Sequence, residues 1–178
     1  MNLDQTTILK LVAKEVEFRL QDAEAGHDWL HIQRVWKNAQ LISLTEEADQ
    51  FIVELAALLH DIADSKFNNG DESIGPRVAE NIMKEKNVDQ NCITHVVKII
   101  ENISYKGGHT FSDFSSLELE IVRDADRLDA IGAIGIARAF HYGGFKNRKL
   151  YDPDTSPNLF MTREEYKSGT GPTINHFY

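Results

Sequence analysis

Cysteine is almost missing from this chain: Cys92 is the only one in 178 residues, so no disulfide can form within it. That excludes a disulfide-stapled scaffold and fits a reducing compartment. No apolar run approaches the roughly 20 residues that a membrane-spanning helix needs. The opening stretch MNLDQTTILK lacks the charged-then-apolar pattern of a secretory leader. A cytoplasmic location is therefore expected. Positive charge is also scarce, with 19 Lys and Arg against 28 Asp and Glu and a net charge of −9. Such a balance argues against a nucleic-acid backbone or an anionic membrane as partner. An anionic small molecule is not excluded, because a metal and a few lysines can dominate inside a cleft. Internal repeats, low-complexity tracts and the two-residue alternation of strands are lacking too.

What is present reads as helix. With 42% hydrophobic and 26% charged residues, the make-up is that of a soluble globular protein. One domain over 1–178 is long enough to bury a sizeable core. Ile8, Leu11, Val12, Val16, Phe18 and Leu20 mark a first helix with a loose apolar stripe. A second starts near Asp28 and carries Ile32, Val35, Trp36 and Ala39 at spacings of three and four, one buried face. The third, from about Glu47 to Ile62, is apolar nearly all round, as a helix central to a core is. Pro76 sits in the first turn of a fourth that reaches Lys86. Asp89 caps a fifth whose stripe is Ile93, Val96, Val97, Ile100 and Ile103, and Gly107-Gly108 ends that segment.

Ser115 and Glu118 form a capping box for a sixth and longest helix, running through Asp126 to about Tyr142. Gly132 and Gly135 within it cost roughly 1 kcal/mol each relative to alanine, which suggests a close approach by another helix or a ligand. From 145 to 171 the chain is rich in Lys, Asp, Pro, Ser and Gly and reads as a long loop. The fold class is all-α, a helical bundle with a long C-terminal loop.

Chemistry concentrates in three of these segments: HDWLHIQRVW with His31, LAALLHDIADSKF with His60-Asp61, and IVRDADRLDAIG with Asp126. Burying His60 beside Asp61 after Ala56-Ala57-Leu58-Leu59 would cost several kcal/mol without a partner, and a metal satisfies both groups at once. Two imidazoles with two carboxylates suit a divalent ion of six-fold coordination that keeps about two positions open. Manganese, iron(II), cobalt and magnesium rank ahead of zinc, which prefers four ligands. Three aspartates compete in the last segment. Asp124 lies about 200° round a helix from Asp126, whereas Asp126 and Asp129 share a face.

The order H…HD…D, with these flanks, resembles the HD superfamily of metal-dependent phosphohydrolases over about Gly26 to Phe145. The stretch DADRLDAIGAIGIAR is similar to one branch of it, and only the resemblance selects Asp126 as the residue that closes the site. It implies an HD-domain fold, a single metal held by His31, His60, Asp61 and Asp126, and a small phosphorylated substrate, with a nucleotide the leading class. Relatives often carry Glu where this chain has Asp64, one methylene shorter, to handle a proton. Asp64 is thus the candidate proton-transfer residue, its alternative being a plain helix-end or turn residue. Members that also share the last segment tend to continue into another helix, which leaves the C-terminal wall of the pocket open.

Lys66, two residues beyond Asp64, and Lys106, in Ser-Tyr-Lys-Gly-Gly, are placed to offset phosphate charge, although most lysines are simply solvated. His27, four residues before His31, touches substrate, supports a ligand or caps the helix. Arg34 and Arg127 suit ion pairs that orient carboxylates. His95 and His109 do not make the paired-histidine pattern of dinuclear members, and Tyr105, Phe111, Phe114 and Tyr142 belong more readily to a core than to a base pocket. Two readings compete with the hydrolase: an HD-fold oxygenase with two irons, and a nucleotide sensor that turns nothing over. Oligomeric state, a homodimer included, stays open.

Overall fold

The computed structural model describes residues 3–23, 26–63, 71–103, 114–156, 158 and 171–177. Helix starts follow short polar side chains that accept from the exposed N–H groups of the first turn. Asp4 accepts from Thr7 N at 2.9 Å and opens α1, Gln5–Arg19. Asp28 accepts from His31 N at 3.0 Å and opens α2, Trp29–Ser43. Asp49 accepts from the N–H groups of Phe51 and Ile52 and opens α3, Gln50–Leu59. Helix α4 spans Ile74–Glu85 with Pro76 in its first turn, and α5 spans Gln90–Ile103 behind Asp89, which accepts from Asn91 N at 2.8 Å.

Every residue of α3 from Ile52 to Leu59 is buried. The helix packs against α1, α2 and α5 and against α6, Leu117–Leu128, so its all-round apolar sequence has a neighbour on every side. Helix α2 packs on both α3 and α6, and α4 on α5. The buried stripe of α5 is Ile93, Val96, Ile99, Ile100 and Ile103, with Val97 only half-buried. In α1, Ile8, Val12 and Val16 are buried while Leu11 and Phe18 are exposed, which accounts for its loose stripe.

The expected sixth helix is two helices. Ser116, not Ser115, caps α6 by accepting from Leu119 N at 3.2 Å. Glu118 accepts from Asp49 N at 3.1 Å and ties the start of α6 to the start of α3, while it also takes a hydrogen bond from the Ser116 side chain. Helix α6 stops at Leu128, and α7 runs over Gly132–Phe145. Gly132 has φ +67°, a left-handed conformation that breaks the helical path and that glycine adopts without strain. Gly135 lies against the backbone of Ala130, where a Cβ would collide with the Ala130 carbonyl. The close approach comes from the preceding turn of the chain.

Two compact units result. One carries α1–α6 and ends at Asp129; the other contains Ala130–Tyr178. In the second, α7 packs with a short 3₁₀ helix, Thr173–Phe177. There Thr173 N donates to Lys149 O at 2.8 Å and the Phe140 and Phe177 rings stack. The 145–171 segment carries no helix or strand among its described residues beyond the end of α7. Seven α-helices and no strand among the described residues make the fold all-α, and no described helix is long and apolar enough to cross a membrane.

Candidate metal centre

Three helix ends meet within the first unit. His31 lies in the first turn of α2, fully buried, with its ring on the same side as Ile32 and Val35. His60 caps the C-terminus of α3 and is buried, with Asp61 half-buried in the turn that follows. Asp126 stands half-buried in the last turn of α6. The packing of α2 on α3 and α6 therefore gathers residues that are far apart in sequence.

His31 Nε2 lies 3.6 Å from Asp61 Oδ2 and 3.5 Å from Asp126 Oδ1, and His60 Nε2 lies 3.8 Å from each of the same two oxygens. These gaps are longer than an ordinary N–H···O hydrogen bond. The two rings stand edge to face, 5.4 Å between centroids. His31, His60 and Asp126 each bring a ligand atom within 4.8 Å of the others.

The far nitrogens explain the near ones. His31 Nδ1 is 2.8 Å from Asp129 Oδ2, and His60 Nδ1 is 2.9 Å from the Ala57 carbonyl oxygen. A carboxylate and a carbonyl only accept, so each Nδ1 carries the proton and donates. In a neutral imidazole Nε2 is then a bare lone pair. Both lone pairs face carboxylate oxygens, and His60 Nε2 is buried without a hydrogen-bond partner. Electron-rich atoms facing one another repel, and a cation among them removes that cost. Two nitrogens with carboxylate oxygens make a donor set that a divalent transition metal or magnesium accepts. The residues present fit the ion.

Burial pushes the Asp61 carboxyl upward, but positive charge on its imidazole neighbours, His60 first and then His31 and His27, would outweigh it and hold the group well below the usual carboxylate range, the same pull a bound cation exerts. Asp61 is thus ready as an ionised ligand. Asp129 is buried and takes Arg34 Nε at 2.6 Å on Oδ1 and Arg34 Nη2 at 3.0 Å on Oδ2. The hydrogen bond to Asp129 raises the Arg34 guanidinium above its ordinary value. The expectation that Arg34 orients a carboxylate is met, and that carboxylate is Asp129. Asp126 and Asp129 do share a side: Asp126 meets His31 at Nε2 and Asp129 meets it at Nδ1. Asp124 and Arg127 are exposed. The part played by Asp129 was missed in the sequence, where only its three-residue spacing from Asp126 pointed to it.

His27 is half-buried, its ring edge-on to that of His31 at 6.1 Å, and Asp28 caps the helix in its place. Asp64, Lys66, Lys106, His109, Tyr105 and Phe111 lie outside the described residues. His95 is engaged elsewhere: its Nε2 is 3.0 Å from Ser116 Oγ and 3.4 Å from Glu118 Oε2, where α5 meets α6. Phe114 packs edge-on against His95, and Tyr142 stacks on Phe145.

A model of the HD domain matches residues 29–131, more than half of the chain. The Bacillus subtilis protein YpgQ is 40% identical over 146 residues, which is 79% of this chain and 69% of YpgQ. A crystal structure of YpgQ in complex with ADP superposes with a TM-score of 0.61 at 38% identity, covering 81% of this chain and 74% of that one. A Lactobacillus plantarum protein superposes with a TM-score of 0.84 at 35% identity, over 99% of this chain and 81% of its own. A Bacillus thuringiensis protein described as an HD-superfamily hydrolase gives 0.71 at 39% identity, over 98% and 79%.

Proposed function

The chain belongs to the HD-domain family, and from that premise we propose that it is a metal-dependent phosphohydrolase acting on a small phosphorylated substrate, with a nucleotide the leading class. The observation that carries the reading is the convergence of two buried imidazole Nε2 atoms with the carboxylates of Asp61 and Asp126, within 3.5–3.8 Å. That arrangement has no purpose in a packed core and a clear one around a cation. The complex of YpgQ with ADP supports a nucleotide.

His31, His60, Asp61 and Asp126 hold one divalent ion: manganese, iron, cobalt or magnesium ahead of zinc. Such an ion, when bound, polarises a phosphoryl oxygen and brings the pKa of a bound water towards neutrality. Asp64, three residues beyond Asp61, handles the proton of the attacking water or the leaving group. Lys66 and Lys106 offset phosphate charge, and His27, beside His31, donates to a phosphate oxygen at the rim. The bond cut is a phosphomonoester or the phosphoanhydride of a triphosphate.

Metal analysis of protein purified without chelator, followed by phosphate and pyrophosphate release from a nucleotide panel, tests this beside His60→Ala and Asp61→Ala. About one metal per chain, with turnover lost in both variants, is the expected result. Two irons per chain would favour the oxygenase instead. Full metal loading without turnover would favour the sensor. A wild type that takes up no metal would overturn the reading.

A further inference from the structure

Asp129 is a buried carboxylate that the proposed reaction does not use. It caps the end of α6 with 2% of its surface exposed and takes three donors: Arg34 Nε on Oδ1, and Arg34 Nη2 and His31 Nδ1 on Oδ2. We infer that Asp129, clamped by Arg34, is a positioning residue that keeps the His31 proton on Nδ1 and so keeps Nε2 available to a metal. The inference rests on reading the site as a metal centre.

The two histidines are held by unlike partners. His60 Nδ1 donates to the Ala57 carbonyl in its own helix, a partner that no side-chain replacement removes. His31 Nδ1 donates to a side chain 98 residues away. An imidazole backed by a carboxylate is a more basic ligand than one backed by a carbonyl, so His31 is the stronger nitrogen donor of the pair. Arg34 gives Asp129 its orientation. The two-pronged grip on both oxygens fixes the plane of the carboxylate, and it stops the group from turning to serve as a ligand itself. Arg34 follows His31 by three residues, so one face of α2 presents both the imidazole and the clamp.

Asp129→Asn separates this role from simple packing, because the amide has the same shape and one acceptor fewer. With its oxygen on Arg34 Nε, its NH₂ takes the place of Oδ2, giving up the 3.0 Å bond from Arg34 Nη2, faces His31 Nδ1 and drives the imidazole proton to Nε2. The reverse orientation sets NH₂ against Arg34 Nε, which lies only 2.6 Å from the carboxylate oxygen there. Long-range ¹⁵N–¹H correlation spectra of the histidines in metal-free protein read the tautomer directly. The wild type is expected to show His31 and His60 both protonated on Nδ1. In Asp129→Asn, His31 changes tautomer while His60 does not, and Mn²⁺ affinity from competition with a chelating dye falls roughly 10–100-fold.

Wild-type His31 protonated on Nε2 would overturn the inference without any variant, so a poorly folding Asp129→Asn does not shield it. An unchanged tautomer and unchanged Mn²⁺ affinity in a folded Asp129→Asn would overturn it as well. The spectra need neither metal nor substrate. A protein that hydrolyses no phosphate ester leaves the Asp129 result standing, and a wild type that binds no Mn²⁺ sinks the metal reading separately.

Discussion

Trp36 Nε1 donates to Glu54 Oε2 at 2.8 Å, so the one carboxylate buried along α3 is answered by an indole from α2. Gln40 Nε2 donates to the same oxygen at 2.7 Å. Helix α3 thereby keeps an acidic residue inside an otherwise apolar surround.

Removing the indole donor should be felt in stability. Trp36→Phe is expected to cost about 1–3 kcal/mol, because Glu54 stays buried with one donor fewer. Urea denaturation with an unchanged slope and a lower midpoint measures it. Glu54→Gln, which can still accept from both donors, should cost less than Trp36→Phe.

Leu58→Ala addresses the core beneath the site. Leu58 is fully buried on α3, and its truncation should lower stability by about 2–5 kcal/mol. A loss under about 1 kcal/mol would mean that α3 is not central.

The break between α6 and α7 has a signature of its own. Gly132→Ala should destabilise the protein by roughly 1–2 kcal/mol, because φ +67° is left-handed. A single continuous helix would instead gain about 1 kcal/mol from the same change. The sign of the shift in thermal midpoint separates the two.

Mn²⁺ should raise the thermal midpoint of the wild type and leave that of His60→Ala where it was. At a hundredfold excess over Kd, the added stability is about 2.7 kcal/mol. Differential scanning calorimetry with and without chelator reads it, and equal midpoints for the wild type would count against the centre.

Burial, with Asp49 and Asp89 nearby, pushes the Cys92 thiol up to about 12. A raised thiol pKa means less thiolate at any given pH. At pH 8 only about one molecule in ten thousand is thiolate, so alkylation by iodoacetamide should be far slower than for an unstructured cysteine peptide. Labelling should speed up as the pH rises towards 12.

Much of this was readable in advance, and the failures have physical reasons. The apolar run ending at Leu59 announced a central helix, and the cost of burying His60 beside Asp61 pointed to the place where the fold gathers His31, His60 and Asp126. Asp28 and Asp89 cap where short acceptors belong. The α6–α7 break hid because Ala130-Ile131-Gly132-Ala133 suits a helix by composition, and the backbone sign at Gly132 is not written in its neighbours. The cap of α6 lies one residue on because Ser115 and Ser116 are alike in sequence, and only the fold shows which of them meets Leu119 N. Asp126 and Asp129 were inseparable by spacing, since what tells them apart is which nitrogen of His31 each one meets.

The His31–Asp129 contact spans 98 residues of chain, and that separation is also a delay. At about 5–20 residues per second, a ribosome that has made His31 needs roughly 5–20 s more to reach Asp129. By the end of that interval the growing polypeptide holds α1 to α5 while one imidazole still waits for its backing. The His31–Asp129 pair is completed late in translation, when α6 arrives, and any nascent fragment shorter than that lacks it.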